Sequence, residues 1–387
     1  SAQWAVRSGQ CAVGSAQWAV RSGQCAVGSA QWELAMHRER ANIKDVADLA
    51  GVSISTVSHV RRGTKFVSET LRDRVSAAIE HLKYEVNPVA SGLKSKATRV
   101  LGVVIPNISS IFFPEVLKGI QDYALRVGYR LTFYNTGFDA DLEVDVIRRL
   151  VGSWVDGIIL DSAAPFEDRK YLDFLAELGG RKKRIPVVSL EREVPGGQVR
   201  SVRIDNYEGA CMAMRHLLEC GCRQIAHIAG PRVSCVADSR RRGYRDELKR
   251  ASLPFDPKRV VPGDFSPRDG YRAMRKLLER GLEIDGVLVA NDQMAIGAMR
   301  AIRDRGLDIP SDVKVVGFDN VFVSSLVEPS LTTIAVPRYQ MGFEAARLLV
   351  QSIEDPESAK DILLPIELVV RNSTRSESHR EWDLLSW

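Results

Sequence analysis

Residues 43–63 read IKDVADLAGVSISTVSHVRRG, two short helices joined by a tight turn and followed by a basic exit. Ile43, Val46, Leu49 and Ala50 recur at helical spacing and give the first helix an apolar face. Gly51 is suited to end it, because glycine enters the left-handed conformation without a Cβ penalty. Ser53 is a good cap for the second helix, whose Val57 and Val60 turn inward and leave Ile54, Ser55 and His59 outward. Ser68 opens a third helix, with Leu71, Val75, Ala78, Ile79 and Leu82 closing a small core. When such a pair meets DNA, the second helix enters the major groove and its first residues face base edges. Ser53, Ile54, Ser55, Thr56 and His59 are the candidates for that contact, with Arg61 and Arg62 placed for phosphate or left as plain solvated surface. Helix pairs around a glycine also occur in proteins that never touch DNA, so this pattern alone leaves both readings open.

Charge is unevenly spread around this segment. Residues 36–98 hold 11 Lys or Arg against 7 Asp or Glu, whereas residues 99–387 hold 41 of each. The basic surplus therefore sits mostly in the part that would meet phosphate. The 387 residues suffice for two to three domains, and 45% hydrophobic content comes without an apolar run of about 18 residues. With no secretory signal pattern at the start, a soluble cytoplasmic protein associated with the nucleoid, not with a membrane, is expected.

Two segments carry no chemistry. SAQWAVRSGQCAVG occurs in tandem at 1–14 and 15–28, and a third copy begins at 29 before diverging. Too few repeats are present for a solenoid, so residues 1–35 are expected to be disordered or non-native and Met36 to be the native start. Cys11 and Cys25 belong to the repeat. Cys211, Cys220, Cys222 and Cys235 lack zinc-pair spacing, and are expected to be reduced thiols with no metal role.

From Arg99 onward, apolar runs of strand length such as VLGVVIP and DGIILDS alternate with amphipathic helices such as PEVLKGIQDYALRVG. Buried parallel strands read in this way, and their alternation with helices calls for doubly wound sheets. A break near Ile204 and a second crossing near Val336 imply two lobes and a cleft. Ligands of open parallel sheets bind beyond the carboxyl ends of strands, which singles out Asn107, Ser109, Asp161, Ser162, Asp205, Asn291, Asp292, Asp319 and Asn320. Their side chains suit the hydroxyl groups of a small molecule, and Phe112, Phe113 and Phe265 offer apolar faces. Asp292 and Asp205 are equally suited to cap the helices that follow them, and Phe112 reads more as core than as site.

The segment YEVNPVASGLKSK, residues 84–96, resembles the hinge of the lactose-repressor (LacI) family, and STVSHVRRG resembles that family's recognition helix. The likeness runs from about Ala41 to about Thr374 through PNISSIFFPEVLKGI, VDGIILD, SVRIDNYEGA, RRGYRDEL, LVANDQMAIGAMRA, VVGFDN and LTTIAVPRYQMG. It implies an all-α helix-turn-helix head at 36–86, a hinge helix at 87–98 and a two-lobed, periplasmic-binding-protein-like α/β core at 99–380. The lobes are expected at about 99–203 plus 336–361 and 204–335 plus 362–380. It also implies a homodimer on double-stranded operator DNA, with Ala90 and Leu93 wedged into the minor groove, and a small-molecule effector. Effector contacts carry over onto Phe113, Arg240, Asn291 and Asp319, and further onto Asp205 and Phe265.

Departures from the family pattern bear on specificity. His59 stands where arginine is usual, and Arg61 and Arg62 replace the frequent Leu and Asn. Histidine lacks the bidentate guanine contact of arginine, so a changed operator is expected at that base pair. Asp238, five residues before Gly243, stands where several sugar-binding members carry arginine, which favours a neutral sugar or nucleoside. The ending HREWDLLSW has no leucine heptads to build a tetramer. A solute-binding protein would share the core but not the head. An enzyme would need a phosphate loop or dinucleotide fingerprint, and neither GxxxxGK[ST] nor GxGxxG occurs. The expectation is a transcription regulator, in the main a repressor, with no cofactor.

Overall fold

A computed structural model describes residues 41–63, 65–84, 97–162, 164–165, 168–180, 185–194 and 199–375. The repeat, the hinge with Ala90 and Leu93, and the last twelve residues lie outside the described residues. The chain divides into two compact units, residues 1–91 and 92–387.

In the first unit, α1 (Ile43–Ala50), α2 (Ile54–Arg62) and α3 (Glu69–His81) form a three-helix bundle. Asn42 and Asp45 make a reciprocal capping box at the start of α1, the Asn42 carboxamide oxygen accepting from Asp45 N at 3.3 Å and Asn42 N donating to Asp45 Oδ2 at 2.7 Å. Gly51 ends α1 at φ 61°. A Cβ there would also lie 2.6 Å from Arg74 Nη2, which donates to the Ala50 carbonyl at 2.6 Å and ties α3 to the turn. Val46, Ala47, Ala50, Val57, Val75 and Ala78 form the buried centre, with Val60, Ile79 and Leu82 packed against it. Leu49 is not part of it: the side chain is 53% exposed and Ala47 takes the inward position. Ser68 stands at the head of α3 as expected, but its hydroxyl makes no capping bond.

The second unit holds two six-stranded sheets. Strands β1 (Val100–Ile105), β2 (Arg130–Asn135), β3 (Gly157–Leu160), β4 (Val187–Leu190), β5 (Arg200–Ile204) and β11 (Ile362–Leu364) form the first, in the order β11-β5-β4-β3-β1-β2, all parallel. Strands β6 (Ile225–Ala229), β7 (Val260–Pro262), β8 (Gly286–Val289), β9 (Lys314–Asp319), β10 (Thr332–Ala335) and β12 (Glu367–Val369) form the second, in the order β12-β10-β9-β8-β6-β7. Here β12 runs antiparallel to β10, at an edge where no crossover helix is needed.

Side chains alternate strictly across the first sheet. Leu101, Val103 and Ile105 of β1 pack against α4 (Phe113–Arg126) and α12 (Arg338–Glu354), while Val104 faces α5 (Ala140–Gly152) and α6 (Arg169–Gly180). In the second sheet, α9 (Pro267–Glu279) and α10 (Asp292–Asp304) cover one face, and α7 (Asn206–Glu219) and α8 (Cys235–Arg250) the other, with the short α11 (Val323–Leu326) between β9 and β10. Helices α4 and α12 touch backbone to backbone, since a Cβ on Gly342 would stand 1.8 Å from Val116 O and one on Gly119 2.1 Å from Tyr339 O.

The chain crosses between lobes three times. The first two crossings follow β5 and β10. The third lies between Leu364 and Glu367, not at 361, because β11 pairs with β5 in the first sheet and Pro365 separates it from β12. No helix among the described residues is long and apolar enough to cross a membrane.

Candidate functional site

On the helical unit, the start of α2 presents a knot of hydroxyls. Ser53 Oγ accepts from Thr56 N at 3.1 Å and lies 2.7 Å from Ser55 Oγ and 2.9 Å from Thr56 Oγ1. Ile54, Ser55 and Arg61 are exposed, while Thr56 and His59 are half-buried. One face of α2 thus combines hydroxyls at a helix N-terminus, where backbone N–H groups favour phosphate, with an exposed apolar side chain suited to a thymine methyl. The side chain of Arg62 falls outside the described residues.

In the second unit, a cavity of about 260 Å³ opens between the lobes. It collects Asn107, Phe113 and Asp161 from the first lobe and Arg240, Phe265, Asn291 and Asp319 from the second, together with Ser109, Phe112 and Ser162. Phe112, read as core, is 8% exposed and meets Phe113 edge-on at 5.3 Å, yet its ring also reaches the cavity. Asp205 does not reach it. That exposed side chain caps α7, accepting from Glu208 N at 2.9 Å.

Arg240 organises the second-lobe wall. Its Nε donates to Asn206 Oδ1 at 2.9 Å and its Nη1 to the Ala290 carbonyl, while Nη2 stands 3.6 Å from Asp319 and 4.0 Å from Glu191. Burial pushes the Asp319 carboxyl well above the usual range, with Asp292 and Glu191 adding to the rise and Arg240 opposing it. Asn291 is the cap of α10, accepting from Met294 N at 2.9 Å and donating to Phe265 O at 3.1 Å. The neighbouring Asp292, considered for that role, instead accepts from Thr333 Oγ1 at 2.6 Å and Val321 N at 2.9 Å, behind the cavity.

Glu191, Phe265 and Asp319 line the cavity with φ of 55°, 69° and 108°, and Asn320 follows at 53°. Left-handed non-glycine backbone costs on the order of 1–3 kcal/mol per residue and gathers where a fold holds a ligand clamp.

Several lining residues escaped the sequence reading. Glu191 and Arg192 follow β4, so the rule that singled out polar residues after strands reaches them as well. Burial, then Glu191 and Glu143, raise Asp161 well above the usual carboxylate range, while Arg192 opposes them. Arg192 itself donates to Ala164 O at 2.9 Å and Pro165 O at 3.3 Å. Gln293 spans the cleft: its Oε1 accepts from Ser110 Oγ at 2.8 Å and Ile111 N at 3.2 Å. No local pattern signals a contact between positions so far apart in the chain.

Asp238 is absent from this wall. It pairs with Arg241 at 2.5 Å and Arg242 at 3.3 Å and faces a separate hollow beside Phe255 and Pro257. The argument from Asp238 to a neutral ligand therefore loses its basis. Among the described residues no group of His, Cys, Asp and Glu could hold a metal, and the four described cysteines are free thiols.

The helical unit matches the model of the lacI family of bacterial regulatory proteins over residues 42–87, and residues 214–374 match the periplasmic binding protein-like domain. Catabolite control protein A of Priestia megaterium is 35% identical, over 86% of this chain and 99% of its own length. The ribose operon repressor of Halalkalibacterium halodurans is 35% identical over 88% and 98%. Among solved structures, the Lac repressor dimer bound to operator and the anti-inducer ONPF covers 87% of this chain and 99% of its own, with 30% identity and a TM-score of 0.78. These relatives are regulators of transcription, not enzymes. A helix-turn-helix unit and a two-lobed unit with an interlobe cavity, matched over 86% of this chain by a relative 35% identical, make this chain a member of the LacI family of DNA-binding transcriptional repressors.

Proposed function

We propose that the protein represses transcription by binding a near-palindromic operator as a homodimer, and that a small molecule in the interlobe cavity, a sugar or nucleoside in class, switches it. The observation that carries this reading is the cavity itself. Directed polar groups and aromatic faces from both lobes converge on it, so a ligand touching both walls changes the free energy of lobe closure.

In this reading Ser53, Ile54, Ser55, Thr56 and His59 face base edges, Arg61 and Arg62 neutralise phosphate, and Ala90 and Leu93 enter the minor groove. Asn107, Phe113, Asp161, Arg240, Phe265, Asn291 and Asp319 hold the effector. The dimer and the palindrome rest on likeness to the Lac repressor dimer on its operator, two half-sites mirroring a two-fold axis. The protein works at the nucleoid in the cytoplasm.

Selection of operators from a random duplex pool, followed by titration of the winner with sugars and nucleosides, tests the proposal. A palindrome released or tightened by one compound supports it. Enrichment of no duplex, with small-molecule binding intact, contradicts the DNA half.

A further inference from the structure

We infer that Asp156 is the positioning residue that carries movement between the cavity and the DNA head, by clamping the residues through which the head's connecting segment enters the core. The inference rests on the switch proposed above and names the joint through which that switch works.

Residues 85–96, which join the head to the core, lie outside the described residues, and the described chain enters the core at Ala97. There Asp156, directly ahead of β3, takes up two successive backbone donors. Its Oδ1 accepts from Thr98 N at 2.9 Å and its Oδ2 from Arg99 N at 2.9 Å. The Thr98 hydroxyl lies between the same Oδ1, at 3.0 Å, and the Trp154 carbonyl, at 2.7 Å. Arg99 is held from its other sides as well: its carbonyl accepts from Arg130 N at 2.8 Å, and its guanidinium stands over the Tyr129 ring, 5.0 Å from the centroid. Its φ of 54° is a left-handed value that a residue with a Cβ rarely takes unaided.

Two strands run from this clamp to the cavity. β3 starts next to Asp156, is buried throughout, and ends one residue before Asp161 on the cavity wall. β1 starts next to Arg99, pairs with β3 in parallel register, and ends just before Pro106 and Asn107 on the same wall. Close-packed paired strands transmit displacement instead of absorbing it. A rotation of the first lobe therefore reaches residues 98–99 as far as those residues are held. Freed from Asp156, the entry segment is slack and takes up the rotation itself.

The second lobe repeats the clamp without the head. Asp285, directly ahead of β8, accepts from Arg223 N at 2.7 Å and Gln224 N at 2.8 Å, where the chain enters β6 from α7. One carboxyl in each lobe thus holds two amides at the same place in the fold, and only the first lobe's amides are attached to the DNA head. A stabilising role is common to both residues; transmission is open to Asp156 alone.

The test uses the full chain and a duplex that the parent protein selects from a random pool. Hydrogen exchange is followed in the peptide holding Ile111, whose amide donates to Gln293 Oε1 across the cleft at 3.2 Å. In the parent, duplex binding is expected to change exchange of this peptide by about fivefold or more, the lower end of coupling between linked sites. Asp156→Asn turns one acceptor oxygen into a donor and releases one of the two amides. The duplex is expected to protect its head as in the parent, while the change at Ile111 shrinks to about twofold or less. Asp285→Asn is expected to keep the parent's response. A response undiminished in Asp156→Asn, or lost equally in Asp285→Asn, overturns the inference and leaves the switch standing. Failure to select a duplex, or a protected head with no response at Ile111 in the parent, contradicts the switch and the inference with it. If the Asp156→Asn protein does not fold, Thr98→Val keeps both backbone bonds and removes the hydroxyl between Asp156 and Trp154. It is expected to weaken the response, and an unchanged response overturns the inference.

Discussion

Gln293, one residue into α10 of the second lobe, accepts hydrogen bonds from Ser110 Oγ at 2.8 Å and Ile111 N at 3.2 Å on the first lobe, at the mouth of the cavity. It ties the two lobes together. Each such bond contributes about 0.5–1.5 kcal/mol net, so Gln293→Ala shifts the lobes towards an open arrangement. Effector affinity is expected to fall roughly 5- to 150-fold with little change in thermal stability. Calorimetric titration beside small-angle scattering checks this, and unaltered affinity would mean that the bridge does not bias closure.

Helices α4 and α12 depend on the absence of side chains where they cross. Gly342→Ala places a methyl 1.8 Å from the Val116 carbonyl, and overpacking of this kind costs on the order of 1–3 kcal/mol or more. The melting temperature is expected to drop by roughly 2–10 °C. Gly152→Ala, where an added Cβ meets nothing within 4 Å, is the matched control and should melt near the parent. Equal melting of the two variants would contradict the close crossing.

Asp292 titrates in the neutral range. Burial pushes its carboxyl up to about 7, against the hydrogen bonds from Thr333 and Val321 that favour the charged form, whereas an unfolded aspartate titrates near about 3.9. Between those values the folded state holds a proton that the unfolded chain releases. Its contribution is therefore most favourable at acid pH and is lost as pH rises towards 7. Asp161, Glu191 and Asp319 act in the same direction. Asp292→Asn is expected to flatten the decline in melting temperature from pH 5 to pH 7.5, leaving a residual slope from the other three. A slope identical to the parent's would show that Asp292 is ionised throughout.

The sequence carried the head and the layering of the core because both are local patterns. Glycine after an apolar helical face and serine before the next are readable at Gly51 and Ser53, and unbroken apolar runs are readable at β1 and β3. Leu49 was misplaced because eight residues make barely two turns, and Ala47 satisfies the same spacing. Asn291 and Asp292 are adjacent and both suited to capping, so only backbone geometry decides between them. The third crossing hides in ILLPIELVV, a run whose two halves join different sheets. The cleft was legible in part, since its after-strand residues follow a rule, but Gln293, Ser110 and the committed state of Arg240 are products of tertiary folding.

In the proposed reading His59, half-buried on α2, faces one operator base pair, where an imidazole makes a single contact and arginine would present a two-pronged fork. His59→Arg is expected to move the preferred half-site towards guanine at one position, worth about 1–3 kcal/mol of discrimination, with the other positions unchanged. Parallel duplex selections on parent and variant report it, and identical preferred sites would remove His59 from the reading face.

Reciprocal coupling is the most direct measurement of the central claim, that the cavity and the α2 face belong to one switch. Operator affinity is measured with and without saturating effector, and effector affinity with and without saturating operator, at one salt concentration because phosphate contacts are salt-dependent. The account predicts that both ratios differ from one by the same factor, roughly 5- to 150-fold. Operator affinity unaltered by an effector that fills the cavity would contradict it.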